Sequence, residues 1–208
     1  AIIYEKKDFK LKDQILIPHL GVENLHKQQA KIIKSFFTNP SKSLKIIGIT
    51  GTNGKTSVAG CLSQSLNLLN CKAGIIGTLG YEVLGKKIKT LNTTPDIISL
   101  SNMLNNAVHE QCEFIVLEVS SHAIQQKRIE NIDFDLRILT NVSRDHLDYH
   151  KTMKSYQNIK KQFFLNEKRI KAIINIDDIV GRAIIDEGEL ENHQFISYAI
   201  DRDADLKV

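Results

Sequence analysis

The 208-residue chain has few cysteines: Cys61, Cys71 and Cys112, an odd number without a CxxC pair. That excludes a disulfide framework and implies a reduced, cytoplasmic protein with buried thiols. No apolar run reaches the length of a membrane span, and no signal-peptide pattern opens the chain. Internal repeats and low-complexity segments are lacking. Charge of one sign is not in excess either. Lys and Arg number 28 against 24 Asp and Glu, a net +4 with no long basic run. Such a balance suits anionic small molecules and gives no argument for nucleic acid. The first residue is Ala1 and not Met, so the sequence reads as a fragment. What is present is ordinary for a soluble globular protein, with 42% hydrophobic and 25% charged residues. The length suffices for one sizeable domain, or one domain and part of another.

Apolar runs alternate with helix-like segments. Residues 14–20 read as a short strand ended by Pro18, and 24–37 as a helix with Leu25, Ile32, Ile33, Phe36 and Phe37 at helical spacing. Asn39-Pro40-Ser41 breaks that helix, and 39–43 is the expected domain boundary. The first forty residues are too few to bury a core alone. Strands are expected at 44–49, 73–79, 113–121, 136–142, 171–176 and 195–200, and helices at 57–70, 96–110 and 155–165. Residues 80–89 read as a hairpin or loop. Continuous apolar strands between helices imply an α/β fold with a mostly parallel sheet covered on both faces. In such sheets ligands sit beyond the carboxyl ends of the strands.

One strand end stands out. After residues 44–49 comes Gly51-Thr52-Asn53-Gly54-Lys55-Thr56. Glycines there permit positive φ and close approach, and the next helix offers its positive end to an anion. Lys55 would meet the outer phosphates of a nucleotide, and the Thr56 hydroxyl would meet Mg²⁺. The usual pattern has a glycine five residues before Gly54, where this chain has Ile49. The loop is a shortened variant.

The other strand ends are also polar. Asn92-Thr93-Thr94-Pro95-Asp96 precedes a helix, as a site or as a simple N-cap. Glu118 ends an apolar strand, where burial requires a cation, so it is a candidate Mg²⁺ ligand, directly or through water. Arg128 either pairs with a substrate phosphate or carboxylate, or is solvated. Residues 140–150 gather Asn141, Arg144, Asp145, His146, Asp148, Tyr149 and His150. His146 and His150 have zinc-helix spacing, but the HExxH glutamate is missing, and a magnesium role for His146 suits phosphoryl transfer better. Lys160 by itself reads as a solvated or phosphate-pairing lysine.

In order, "GITGTNGKTS", "NTTPD", "LEVSSHAIQQKRI", "TNVSRDHLDYHKTMKSY" and "AIINIDD" resemble the central ATPase domain of the Mur ligase family, nearest its tripeptide synthetases. The resemblance implies that residues 1–43 are the end of a uridine-binding domain and linker, and 44–208 an incomplete central domain. It implies an ATP-dependent, ADP-forming ligase, acting through an acyl phosphate on a UDP-N-acetylmuramoyl dipeptide and an amino acid, diaminopimelate or lysine. Gly51, Thr52, Asn53, Gly54, Lys55, Thr56 and Ser57 would bind ATP. Thr56, Glu118 and His146 would hold magnesium. Asn92, Thr93, Thr94, Ser120, Gln126 and Arg128 would bind the dipeptide. Lys55, His146 and Lys160 would be catalytic, with Lys160 carbamylated and so able to meet Mg²⁺. The whole would act as a cytoplasmic monomer, and the fragment alone would not turn over. Rival expectations are another Mur ligase, a folylpolyglutamate synthase, a P-loop switch without ligase chemistry, and an inactive homologue.

Overall fold

The computed structural model describes residues 1–7, 16–165, 170–188 and 194–207. Two short strands come first, β1 (Ile2–Glu5) and β2 (His19–Val22), paired in parallel. Helix α1 (Leu25–Phe36) and a 3-10 turn at Pro40–Ser43 follow. Then come β3 (Lys45–Thr50), α2 (Lys55–Leu68), β4 (Ala73–Gly77) and the hairpin β5 (Gly80–Val83) and β6 (Lys86–Ile88). Next are α3 (Ile97–His109), β7 (Phe114–Glu118), the short α4 (Ser121–Gln125) and β8 (Leu136–Leu139). The chain continues with α5 (Leu147–His150), α6 (Met153–Leu165), β9 (Lys171–Asn175), α7 (Ile179–Gly188), β10 (Gln194–Ala199) and β11 (Leu206–Lys207).

Among the described residues nine strands form one sheet in the order β11-β10-β9-β8-β3-β7-β4-β5-β6, and of its pairs β4–β5 and β5–β6 are antiparallel. The apolar runs are continuous because both faces are covered. Ile46 faces a large core with Leu100, Leu104, Phe163, Phe164 and Ile184, while Ile47 and Ile49 face a smaller one under α2 with Ala59 and Val116. Each fully buried aliphatic side chain contributes about 1.5–3 kcal/mol, so the period-two alternation of β3 fixes its register on both faces at once. The chain passes from β3 to β4, returns to insert β7 between them, and then crosses β3 to lay down β8. Connections therefore leave β7 and β8 on opposite sides of β3, opening a crevice at the carboxyl ends of these three strands.

The expected strands at 44–49, 73–79, 113–121, 136–142, 171–176 and 195–200 all form, several shorter than expected because their polar ends turn into the crevice. The hairpin at 80–89 forms as well. Some expectations need correction. Gln14 and Ile15 lie outside the described residues, and the strand begins after Pro18, whose carbonyl accepts from Ile2 N at 2.9 Å. A proline without an N–H starts this ladder and does not end it. At the expected boundary, 39–43, the Asn39 amide and the nearby Lys34 both reach Asp133, at 2.9 and 3.1 Å. Of the thiols only Cys112 is buried, and Cys61 is exposed.

Candidate active site

The loop after β3 is held from below by the segment after β8. Thr52 N donates to Asn141 O at 2.7 Å, and Asn53 N to Asn141 Oδ1 at 3.1 Å. The Thr140 hydroxyl donates to Asn53 O at 2.7 Å. Thr52 Oγ1 lies 3.0 Å from the Tyr156 hydroxyl and accepts from Ser143 N at 3.0 Å. Gly51, at φ 154°, has no room for a side chain, since a Cβ would overlap the Thr140 hydroxyl oxygen. Gly54, at φ 84°, starts α2 without a side-chain cap, so the helix opens onto the loop with its positive end uncovered. Ser57 is exposed beside it. Gly51→Ala is expected to destabilise the fold by roughly 1–3 kcal/mol, because the Thr140 bond or the loop backbone must give way. A melting temperature within a degree of wild type would refute this.

Two ammonium groups converge here. Lys55 Nζ donates to Gly51 O and Thr52 O, both at 2.9 Å. Burial holds it below the usual lysine range, while Glu118 and Asp145 pull it back up. Lys160, from α6, is 1% exposed and donates to the same Gly51 O at 2.9 Å. Its ammonium lies 4.9 Å from the centroid of the Tyr156 ring. Burial, then repulsion from Lys55, lowers its pKa to about 7. Lys160 is thus a core residue, not a solvated one.

Glu118 ends β7 and is 1% exposed. Its carboxylate accepts from Thr56 Oγ1 at 2.9 Å, Thr78 N at 3.0 Å and Thr78 Oγ1 at 3.1 Å. A Cβ on Gly77 would overlap this carboxylate, so glycine there makes its room. All three donors to this carboxylate are neutral, and a divalent cation beside the Thr56 hydroxyl would add the charge that hydrogen bonds do not supply. The donor set, one carboxylate and hydroxyls, suits magnesium. Among the described residues no three His, Cys, Asp or Glu side chains gather to hold a metal by themselves. His146 sits in a left-handed conformation, with Nε2 3.6 Å from Asp145 and its ring 5.1 Å from His122.

Of the remaining expected residues, Thr94, Ser120, Gln126 and Arg128 form a second cluster beside the end of β7. Thr94 is buried, and its hydroxyl donates to Glu118 O at 2.7 Å and accepts from Ser120 N at 3.0 Å. Ser120 also caps α4, accepting from Ala123 N at 3.2 Å. Arg128 donates to Thr94 O at 2.8 Å and to Gln126 Oε1 at 2.9 and 2.6 Å. Thr93 touches Thr78 at 3.1 Å between the hydroxyls, and Asn92 is exposed. Thr78, Gly77, Thr140 and Tyr156 were not singled out in the sequence, and Asn141, named there in the 140–150 cluster, was given no part in holding the loop. Thr78 and Thr140 directly follow strands, so the strand-end rule alone could have found them.

The model of the Mur ligase middle domain matches residues 49–208. The chain belongs to the Mur ligase family. A UDP-N-acetylmuramoyl-L-alanyl-D-glutamate–2,6-diaminopimelate ligase of Coxiella burnetii is 40% identical over 185 residues, 89% of this chain and 38% of its own length. A relative of the same name from Wigglesworthia glossinidia brevipalpis is 42% identical over 166 residues, 80% of this chain and 34% of its own. A solved structure of a ligase of that name has a TM-score of 0.78 at 26% identity, covering 95% of this chain and 41% of that one. Folylpolyglutamate synthase of Mycobacterium tuberculosis, complexed with ADP and AMPPCP, is 17% identical at a TM-score of 0.66 and shares the fold, covering 84% of this chain and 48% of that one. The chain therefore spans about two fifths of the length of the ligases it matches. No helix among the described residues is long and apolar enough to cross a membrane.

Proposed function

We propose that the intact protein is an ATP-dependent ligase that joins 2,6-diaminopimelate to UDP-N-acetylmuramoyl-L-alanyl-D-glutamate. One observation carries this reading. The Thr94 hydroxyl bonds the carbonyl of Glu118, so the cluster suited to an acidic acceptor is built on the residue that would serve the cation. Such a site has to bring two anions together. The names of the relatives supply the acceptor and the amine.

Residues 51–57 would cradle ATP, with Lys55 turning from its loop carbonyls to the outer phosphates. Thr56 and Glu118, with His146, would hold magnesium, which supplies charge neutralisation at the phosphate oxygens. Asn92, Thr93, Thr94, Ser120, Gln126 and Arg128 would position the dipeptide. Its carboxylate attacks the γ-phosphorus and ADP leaves; the incoming amine then attacks the acyl carbon, the amide bond forms as the bond to phosphate breaks, and phosphate and the amine's proton depart. A carboxylate is a poor electrophile, and phosphorylation gives it a leaving group. The protein's part is positioning and charge stabilisation.

Lys160 supports a carbamate. A pKa of about 7 leaves a large share of its amine neutral and able to attack CO₂ near neutral pH. Carbamylation would also turn the repulsion between Lys160 and Lys55 into attraction.

The test is phosphate release by the intact protein with ATP and the UDP-muramoyl dipeptide, offering diaminopimelate and lysine in parallel, and a folate as alternative acceptor. Release is expected with the dipeptide and diaminopimelate. Equal release with lysine, or release only with folate, would overturn the reading.

A further inference from the structure

Tyr149 belongs to none of the roles above. It lies in α5, half-buried, and its ring packs on His122 at 4.1 Å between centroids and edge-on to His150 at 4.9 Å. His150 is itself fixed, with Nε2 2.8 Å from the buried Ser121 hydroxyl. His122 and His150 are held below the usual histidine range, by burial first and by neighbouring histidines next. Both rings pack against Tyr149 as aromatic faces.

The hydroxyl of Tyr149 is 3.0 Å from Gln126 Nε2. The direction of this bond follows from its neighbour. Gln126 Oε1 accepts two bonds from the Arg128 guanidinium, which has no acceptor of its own. The amide cannot flip without setting its NH₂ against those donors, so Nε2 must donate to Tyr149. The phenolic oxygen accepts, and its own proton points elsewhere. Arg128 meanwhile spends Nε, Nη1 and one Nη2 bond inside the protein. A proton donor is thus held by aromatic packing next to an arginine whose remaining N–H groups are few.

Resting on the proposed ligase reading, we propose that Tyr149 is a specificity-determining residue whose O–H donates to an anionic oxygen of the acceptor, alongside Arg128. A carboxylate of the dipeptide and a phosphate of its nucleotide share this chemistry.

Binding to the intact protein, measured by calorimetry without ATP, tests it. Tyr149→Phe keeps the ring against His122 and removes only the hydroxyl. Losing a hydrogen bond to a charged group is expected to weaken UDP-muramoyl dipeptide about ten- to a hundredfold, while AMPPCP binding stays within about twofold. In a Gln126→Ala background the same change should cost less, because nothing then orients the hydroxyl. A purely structural tyrosine would give additive losses and would weaken the nucleotide too, and either result overturns the inference. With UDP-N-acetylmuramoyl-L-alanine as probe, a vanished penalty places the contact on the glutamate carboxylate, and a retained one on the nucleotide phosphates. A Phe variant that binds the dipeptide like wild type sinks this inference alone. A wild-type protein that does not bind the dipeptide sinks the ligase reading.

Discussion

Replacing Glu118 by Gln in the intact protein is expected to lower ligase turnover by about two to three orders of magnitude, with the fold retained. The carboxylate is buried and accepts from Thr56 and Thr78. Glutamine is nearly isosteric and keeps one oxygen for the Thr78 N–H. What it removes is the negative charge, and it sets an NH₂ where the Thr56 hydroxyl or a cation would be met. Stability is expected to change little, since removing the charge relieves a burial cost about as large as the lost interactions with its donors and with Lys55. Nucleotide binding should therefore lose its dependence on magnesium while the melting temperature barely moves. Calorimetric titration of ADP with and without Mg²⁺ separates these quantities. Wild-type turnover at the same magnesium concentration would show that Glu118 is only a structural acceptor.

Lys160→Ala should cost about as much activity, and short carboxylates such as acetate should restore part of it. The rescue follows if a carbamate at this position acts as a carboxylate. Unimpaired activity without rescue would remove that role. The same residue gives a pH signature in protein kept free of CO₂. The lysine pKa falls from 10.5 in the unfolded chain to about 7 in the fold. Below that value both states hold the proton, and the cost of burying the ammonium is paid in full. Between about 7 and 10.5 the unfolded chain holds a proton that the folded one has released, so stability rises with pH across this window. Lys160→Met should flatten that part of the profile. Bicarbonate added near pH 8 should raise the melting temperature of wild type and leave Lys160→Met unchanged.

Much of this was legible in the sequence, for local reasons. The glycine loop, the apolar strands and the polar clusters at their ends are written in consecutive residues, and backbone rules act on neighbours. The short elements were not. Strands β1 and β11 and helices α4, α5 and α7 were not anticipated; α4 and α5, of five and four residues, are too brief for a period to show. Lys160 shows the same limit in a side chain. Its segment reads as an ordinary amphipathic helix, and only the fold buries its ammonium against a carbonyl 109 residues earlier.

The sequence by itself determined the class of the fold, the phosphate loop and the resemblance to the Mur ligases, because each depends on residue types at fixed short spacings. Tertiary structure alone decided that Thr94 meets Glu118 across 24 residues, that Asn141 holds Asn53 across 88, and that Tyr149 fixes Gln126 across 23. These joins arise where β7 and β8 leave the sheet on either side of β3. A hydrogen bond across a crevice depends on strand order, which no stretch of neighbouring residues encodes.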